Sequence, residues 1–188
     1  MSDNNTINGN TSTGDGGGVY VASNGAFTMN GGEISGNESK NTGDTAGGGG
    51  VYVFRNPTGT GADAQGIFTM NGGTITNNKA AAKGKGVHVS PYAMFNMSGS
   101  AKVEANNDVY LDVYSAPDSS IPTITVTGTL TAASPVATIT PASYEPNRQV
   151  LSASGVTITQ AICDKFALSD AAYKIVPGGG NYGLIQRQ

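Results

Sequence analysis

The chain has 188 residues, a formal net charge of -3 at pH 7, and only 12% charged and 7% aromatic residues. That length suits one elongated domain, and that charge gives no reason to expect a nucleic acid or an anionic membrane surface as partner. No apolar run approaches the ~20 residues of a membrane span; glycine, with 28 residues, stands at roughly twice its ordinary usage.

Taken in order, residues 1–18 begin with a stretch, MSDNNT, too polar for a secretion signal, so an exported protein would carry its signal outside these residues. Ile7 and Asn10 then stand three apart, an offset repeated at Ile34 and Asn37, at Ile75 and Asn78, and at Val103 and Asn106. The chain therefore reads as starting partway through a repeat, as a piece of a longer protein would. An end of that kind exposes unpaired strand edges, which template further strands, so end-to-end self-association is an expectation for it.

The repeat proper occupies residues 19–108. Val19, Val51 and Val87 open three copies, with Val21, Val53 and Val89 two residues on; Phe27, Phe68 and Phe95 follow, each with a methionine two residues later. Apolar residues alternating with polar or small ones have the period of a strand, whose side chains point to opposite faces in turn. The circuit from Val87 to Val109 is 22 residues long, while those opened by Val19 and Val51 take 32 and 36. The distance from Phe27 to Ile34 and from Phe68 to Ile75 stays at 7, so the other corners take up the extra length. Three short strands and three corners in 22 residues make one coil of a parallel β-helix, where equal segments of successive coils pair at about 4.8 Å. Insertions confined to particular corners are what such a stack tolerates.

After Asp108 the composition changes, with six of the eight prolines and threonine-rich segments such as Thr123 to Thr131. Residues 109–162 are expected to form irregular coils, with strands at Val136 to Thr140 and Gln149 to Ser152. Residues 163–188 are expected to form a cap: Lys165 to Leu168, then Tyr173 to Val176 and Tyr182 to Gln186 joined as a hairpin through Pro-Gly-Gly-Gly-Asn. The whole is a single domain.

Chemistry-bearing residues are sparse. A glycoside hydrolase needs two carboxylates about 5 to 10 Å apart, yet the 13 acidic residues are scattered, and Glu33 aligns with Thr74 and Lys102 rather than with other acids. His88 is the single histidine, and the stretch around Asp15 lacks the tandem Gly-Gly-x-Gly-x-Asp spacing of a calcium nonapeptide. No catalytic, cofactor-binding or metal-binding residue is assigned. Cys163 has no partner for an internal disulfide and reads as a small core or corner residue.

Two columns offer surfaces. With the flanking valines inward, Tyr20, Tyr52, His88 and Tyr110 face outward in one row, either as a self-stacking ladder or as an aromatic platform for a sugar chain. The asparagines Asn10, Asn37, Asn78 and Asn106 read as an internal amide ladder. The longest inserted corner, Phe54 to Gly66, carries Arg55 and Asp63, and the other inserted corners carry lysines. Loops on a rigid scaffold commonly hold recognition residues.

The blocks GGGVYV, FTMNGG and NNDVYL, followed by TITVTGTL, VATITP and KFALSD, resemble right-handed parallel β-helix repeat proteins of the pectin-lyase-like class found on bacterial surfaces. The resemblance spans residues 4–187 and implies an all-β fold and an extracellular or cell-surface location. It implies a non-catalytic scaffold or adhesin whose partner is a host or cell-surface protein or glycan. Polysaccharide lyase or hydrolase activity recurs on that fold, so a carbohydrate-binding or carbohydrate-degrading protein is the alternative, although fold alone confers no chemistry. An ice-binding solenoid is a third reading. Thr74-Ile75-Thr76 has the required form, but Glu33 and Lys102 break its column.

Overall fold

The computed structural model describes residues 1–56, 65–113 and 121–188. In chain order these form β1 (Thr6–Asn8), β2 (Thr11–Ser12), β3 (Val19–Val21), β4 (Ala26–Met29), β5 (Glu33–Ser35) and β6 (Glu38–Ser39). The next repeats supply β7 (Val51–Val53), β8 (Ile67–Met70), β9 (Thr74–Thr76), β10 (Lys79–Ala80), β11 (Val87–Val89), β12 (Met94–Gly99) and β13 (Lys102–Val103). There follow β14 (Val109–Leu111), β15 (Ile124–Leu130), β16 (Ala137–Pro141), β17 (Gln149–Ala153), the single-turn α1 (Gln160–Cys163), β18 (Phe166–Leu168), β19 (Tyr173–Pro177) and β20 (Tyr182–Arg187).

The protein is all-β, and its strands pair in parallel with the equivalent strands of neighbouring repeats. One sheet runs β3-β7-β11-β14-β16-β18 and places Val51 between Val19 and Val87. A second runs β4-β8-β12-β15-β17-β20-β19 and stacks Phe27 on Phe68 and Phe68 on Phe95. A third, β1-β5-β9-β13, aligns Ile7, Ile34, Ile75 and Val103. The aligned columns of the sequence are therefore the registers of the sheets. A one-residue slip would turn every buried valine, phenylalanine and isoleucine outward.

The core is the space these sheets enclose. Val53, Phe68, Met70, Ile75, Phe95, Met97 and Leu111 are fully buried there. The rings of Phe68 and Phe95 lie 4.9 Å apart and within 4° of parallel, so like residues on successive repeats pack as a continuous column.

Two features differ from the expected plan. Each of the first repeats carries a fourth, two-residue strand, and β2, β6 and β10 form a small parallel sheet of their own. The 22-residue circuit has no counterpart, because its corner passes straight from Glu104 to Asp108 into β14. The amide ladder also ends on Asn107 rather than Asn106. In the earlier repeats a residue of positive φ (Gly9 at 69°, Gly36 at 62°, Asn77 at 55°) turns the next asparagine inward. In the last repeat the turn closed by the Asn107 N–H on the Glu104 carbonyl inserts one more residue. Asn107 is buried, and Asn106 lies on the surface against Asn77.

At the far end β19 and β20 pair antiparallel, and β20 pairs antiparallel with β17, forming the expected closing hairpin. β18 instead continues the valine sheet in parallel beside β16. At the other end β1, β2, β3 and β4 are the outermost strands of their sheets. Among the described residues no helix is long and apolar enough to cross a membrane.

Candidate functional site

The valine sheet brings Tyr20, Tyr52, His88 and Tyr110 into one row through its register. The row is stacked along its length. Tyr20 and Tyr52 lie 5.5 Å apart at 11°, Tyr52 and His88 4.8 Å apart, and His88 and Tyr110 5.2 Å apart. All four point away from the valine core, as alternation requires, yet only Tyr20 is open, at 47% exposure; Tyr52, His88 and Tyr110 fall at 4%, 0% and 9%. The expected outward platform is thus covered over most of its length.

The cover is the corner inserted between β6 and β7. The Asp15 carboxylate accepts hydrogen bonds from the Asn41 side-chain amide (3.0 Å) and the Gly47 N–H (3.1 Å), pinning both ends of the loop. The Tyr52 hydroxyl donates to the Thr45 carbonyl at 3.2 Å. Gly47 lies so close to the imidazole that a Cβ there would stand 2.7 Å from His88 Nδ1 and 2.0 Å from the Lys83 carbonyl oxygen, so only glycine fits. Lys83, from the next corner, donates its ammonium to the Asp44 carbonyl at 2.6 Å and lies 5.1 Å over the Tyr110 ring, a cation–π contact.

Beside the row lie ionisable residues whose grouping the sequence did not reveal. His88 Nε2 lies 3.3 Å from Asp112 Oδ2, and His88 Nδ1 has no hydrogen-bond partner among the described residues. Arg148, 6% exposed, donates from Nη1 to the Ser143 hydroxyl at 2.6 Å, while its Nε and Nη2 have no hydrogen-bond partner among the described residues. Burial pushes the Arg148 guanidinium below its usual range, and Glu145, Tyr110 and Asp112 partly offset that by favouring the cation. The signal for Asp112 lay in the alternation of Asp108 to Val113, which puts it on the same face as Tyr110. Arg148 carries no such signal, because it arrives from a different part of the chain.

Past Lys83 the cover ends. Tyr110, Thr138, Thr140 and Ser169 then floor a cleft of about 480 Å³ walled by Lys83 and Lys85. A shallower trough of about 540 Å³, holding Glu38 and Lys79, lies on the other side of Lys85. Lys85 and Asn106 border both depressions and form the ridge between them. The Lys85 backbone N–H donates to Asp108 at 2.7 Å and fixes the ridge in place.

Arg55 is not brought into the row. Its guanidinium lies 4.1 Å over the Tyr92 ring, at the opposite end of the valine strands, and its backbone N–H donates to the Ser90 hydroxyl. Asp63 lies outside the described residues. Among the described residues no three His, Cys, Asp or Glu side chains come together as a metal site. No protein-family model, curated protein sequence or solved structure matches this chain.

Proposed function

We propose that the chain is a right-handed parallel β-helix and a non-catalytic extracellular or cell-surface scaffold, an adhesin or interaction module that meets its partner through its corners. The observation that carries this reading is the packing of the inserted corners onto the aromatic row. They are not slack loops: Asp15, Gly47, Lys83 and Tyr52 hold them against the sheet, and their edge builds the lysine-walled cleft. A surface held rigid before binding loses less entropy when a partner arrives. The resemblance to bacterial surface repeat proteins supports the same reading.

A carbohydrate-binding role is the second reading, supported by the cleft itself, where one aromatic edge, three hydroxyls and two lysines converge. Both readings meet in one experiment: a glycan array and a set of surface-protein ectodomains probed with the chain and with Lys85→Glu, followed by assay of each glycan for released product. The expected outcome is binding that Lys85→Glu weakens by roughly tenfold, with no product released. Product release would overturn the non-catalytic reading, and binding untouched by Lys85→Glu would remove the cleft from it. Tyr52→Ala is a poorer probe, because Tyr52 is 4% exposed and its loss loosens the cover before it touches any ligand.

A further inference from the structure

The small sheet of two-residue strands stops one strand short. It stacks Thr11, Glu38 and Lys79 in one column and Ser12, Ser39 and Ala80 in the next. The following circuit adds no strand to it, so β10 is its outermost strand on that side. The trough of about 540 Å³ runs along β10, past Lys79, Ala80 and Ala81, and is bounded by the ridge of Lys85 and Asn106.

Backbone hydrogen bonds pass through this sheet in a fixed series. The Lys40 N–H donates to the Ser12 carbonyl at 2.9 Å, and the Ala81 N–H to the Ser39 carbonyl at 2.9 Å. Ala80 is next in that column, and its carbonyl receives no such bond from the described residues. Because the N–H groups of Lys79 and Ala81 point to β6, both the N–H and the C=O of Ala80 point the other way. The preceding position is closed: the Asn78 N–H donates to Asn107 Oδ1 at 3.2 Å, and its carbonyl accepts from Asn107 Nδ2 at 3.0 Å. A side chain thus stands in for the first residue of the missing strand, and the place of the second is open.

We propose that this edge binds an extended acidic segment of a partner protein by strand addition. The segment lies about 4.8 Å from β10 and enters parallel, as each strand of the small sheet does. The Ala80 carbonyl then accepts from the residue after its register partner, as Ser39 does from Ala81. Ser39 is fully buried, so the column of Ser12, Ser39 and Ala80 admits only a small residue opposite Ala80. The residue before it falls beside exposed Lys79, with exposed Lys85 on the ridge. Ion pairs among the described residues are His88 with Asp112 and Lys102 with Glu104, so both lysines are open to a carboxylate. The recognised unit is therefore Asp or Glu followed by Ser, Ala or Gly.

Other occupants fit less well. A second copy of β10 would set lysine against lysine, the ordinary defence of an edge strand. A sugar ring finds no aromatic side chain among the described residues lining the trough. The inference rests on the reading of the chain as an interaction module and names the partner's chemistry.

The test is an NMR titration of the isotope-labelled 188-residue chain with a capped hexapeptide carrying Glu-Ser at its centre. The Ala80 amide is expected to shift. N-methylation of the residue after serine, which removes the donor to Ala80 without altering the protein, should weaken binding by roughly tenfold, as should lysine in place of the peptide's glutamate. Lys79→Glu should do the same, with amide dispersion reporting that the variant is folded. No shift at Ala80 at millimolar peptide overturns the proposal, as does undiminished binding of the N-methylated peptide. A protein ectodomain lost by Lys85→Glu with no peptide shift overturns strand addition alone and leaves the interaction module standing. A glycan that moves the Ala80 amide where the peptide does not overturns the assignment to a protein partner.

Discussion

At the scale of single residues, the asparagine ladder shows how one amide can hold two repeats together. Asn78 Oδ1 accepts from both the backbone N–H and the side-chain amide of Asn37, while its own amide donates to Asn107 and to the Ile34 carbonyl. Asn78→Ala would leave these buried groups without partners and should destabilise the fold by about 3 kcal/mol. The surface neighbour Asn106→Ala should cost about 1 kcal/mol or less. Urea unfolding midpoints of the two variants check the contrast, and equal losses would return Asn106 to the ladder. Spacing alone placed Asn106 there, because an offset of three is visible in the sequence and an extra turn residue before the asparagine is not. Cys163 offers a second residue-level check. Burial pushes its thiol up to about 11 from an ordinary value of 9.0, so the folded state favours the protonated form. Its contribution to stability is complete below the ordinary value and is lost as pH rises through about 11. Iodoacetamide at pH 8 is expected to label the urea-unfolded chain and to spare the native one; rapid native labelling would contradict the burial.

At the scale of elements, strands and corners obey different rules. A strand position is constrained by the equivalent residues of both neighbouring repeats, which is why Val, Phe and Ile recur at fixed places and the registers are legible in the sequence. A corner answers only to what it lands on, and that is decided in space. The alternation of Tyr20, Tyr52, His88 and Tyr110 with valines indicates the outward row, but nothing in the stretch before Val51 announces that it folds back over that row. The closing hairpin was legible from its turn and alternation, and it yields a prediction of its own. Ile185, a fully buried residue of β20 paired with Ile175 of β19, becomes a buried charge in Ile185→Asp, at a cost of about 4 kcal/mol. That change should loosen the hairpin and free the edge of β17, so the variant should sediment as larger, more concentration-dependent species than the parent at equal concentration. Unchanged sedimentation in a variant of lowered stability would mean that the hairpin is not what protects the edge.

At the scale of the whole molecule, the three larger sheets enclose one column of valine, phenylalanine, methionine and isoleucine, and their outer surfaces have diverged. One is covered by its own corners over most of its aromatic row, one carries Glu33 and Lys102 outward, and one presents columns of hydroxyl and amide side chains on β4, β8, β12, β15 and β17. By itself the sequence determined the all-β class, the parallel registers and the identity of the core, because each follows from periodicity and from equal residues recurring at equal offsets. The tertiary structure decided which outward residues meet solvent, since the same alternation produces a buried Tyr52 under one corner and an exposed Thr28 beside another. It also decided where Asp112 and Arg148 come together behind Tyr110 and where the cleft opens past Lys83. These depend on how far each corner reaches across the stack, and corner length in residues does not specify the direction in which the corner folds.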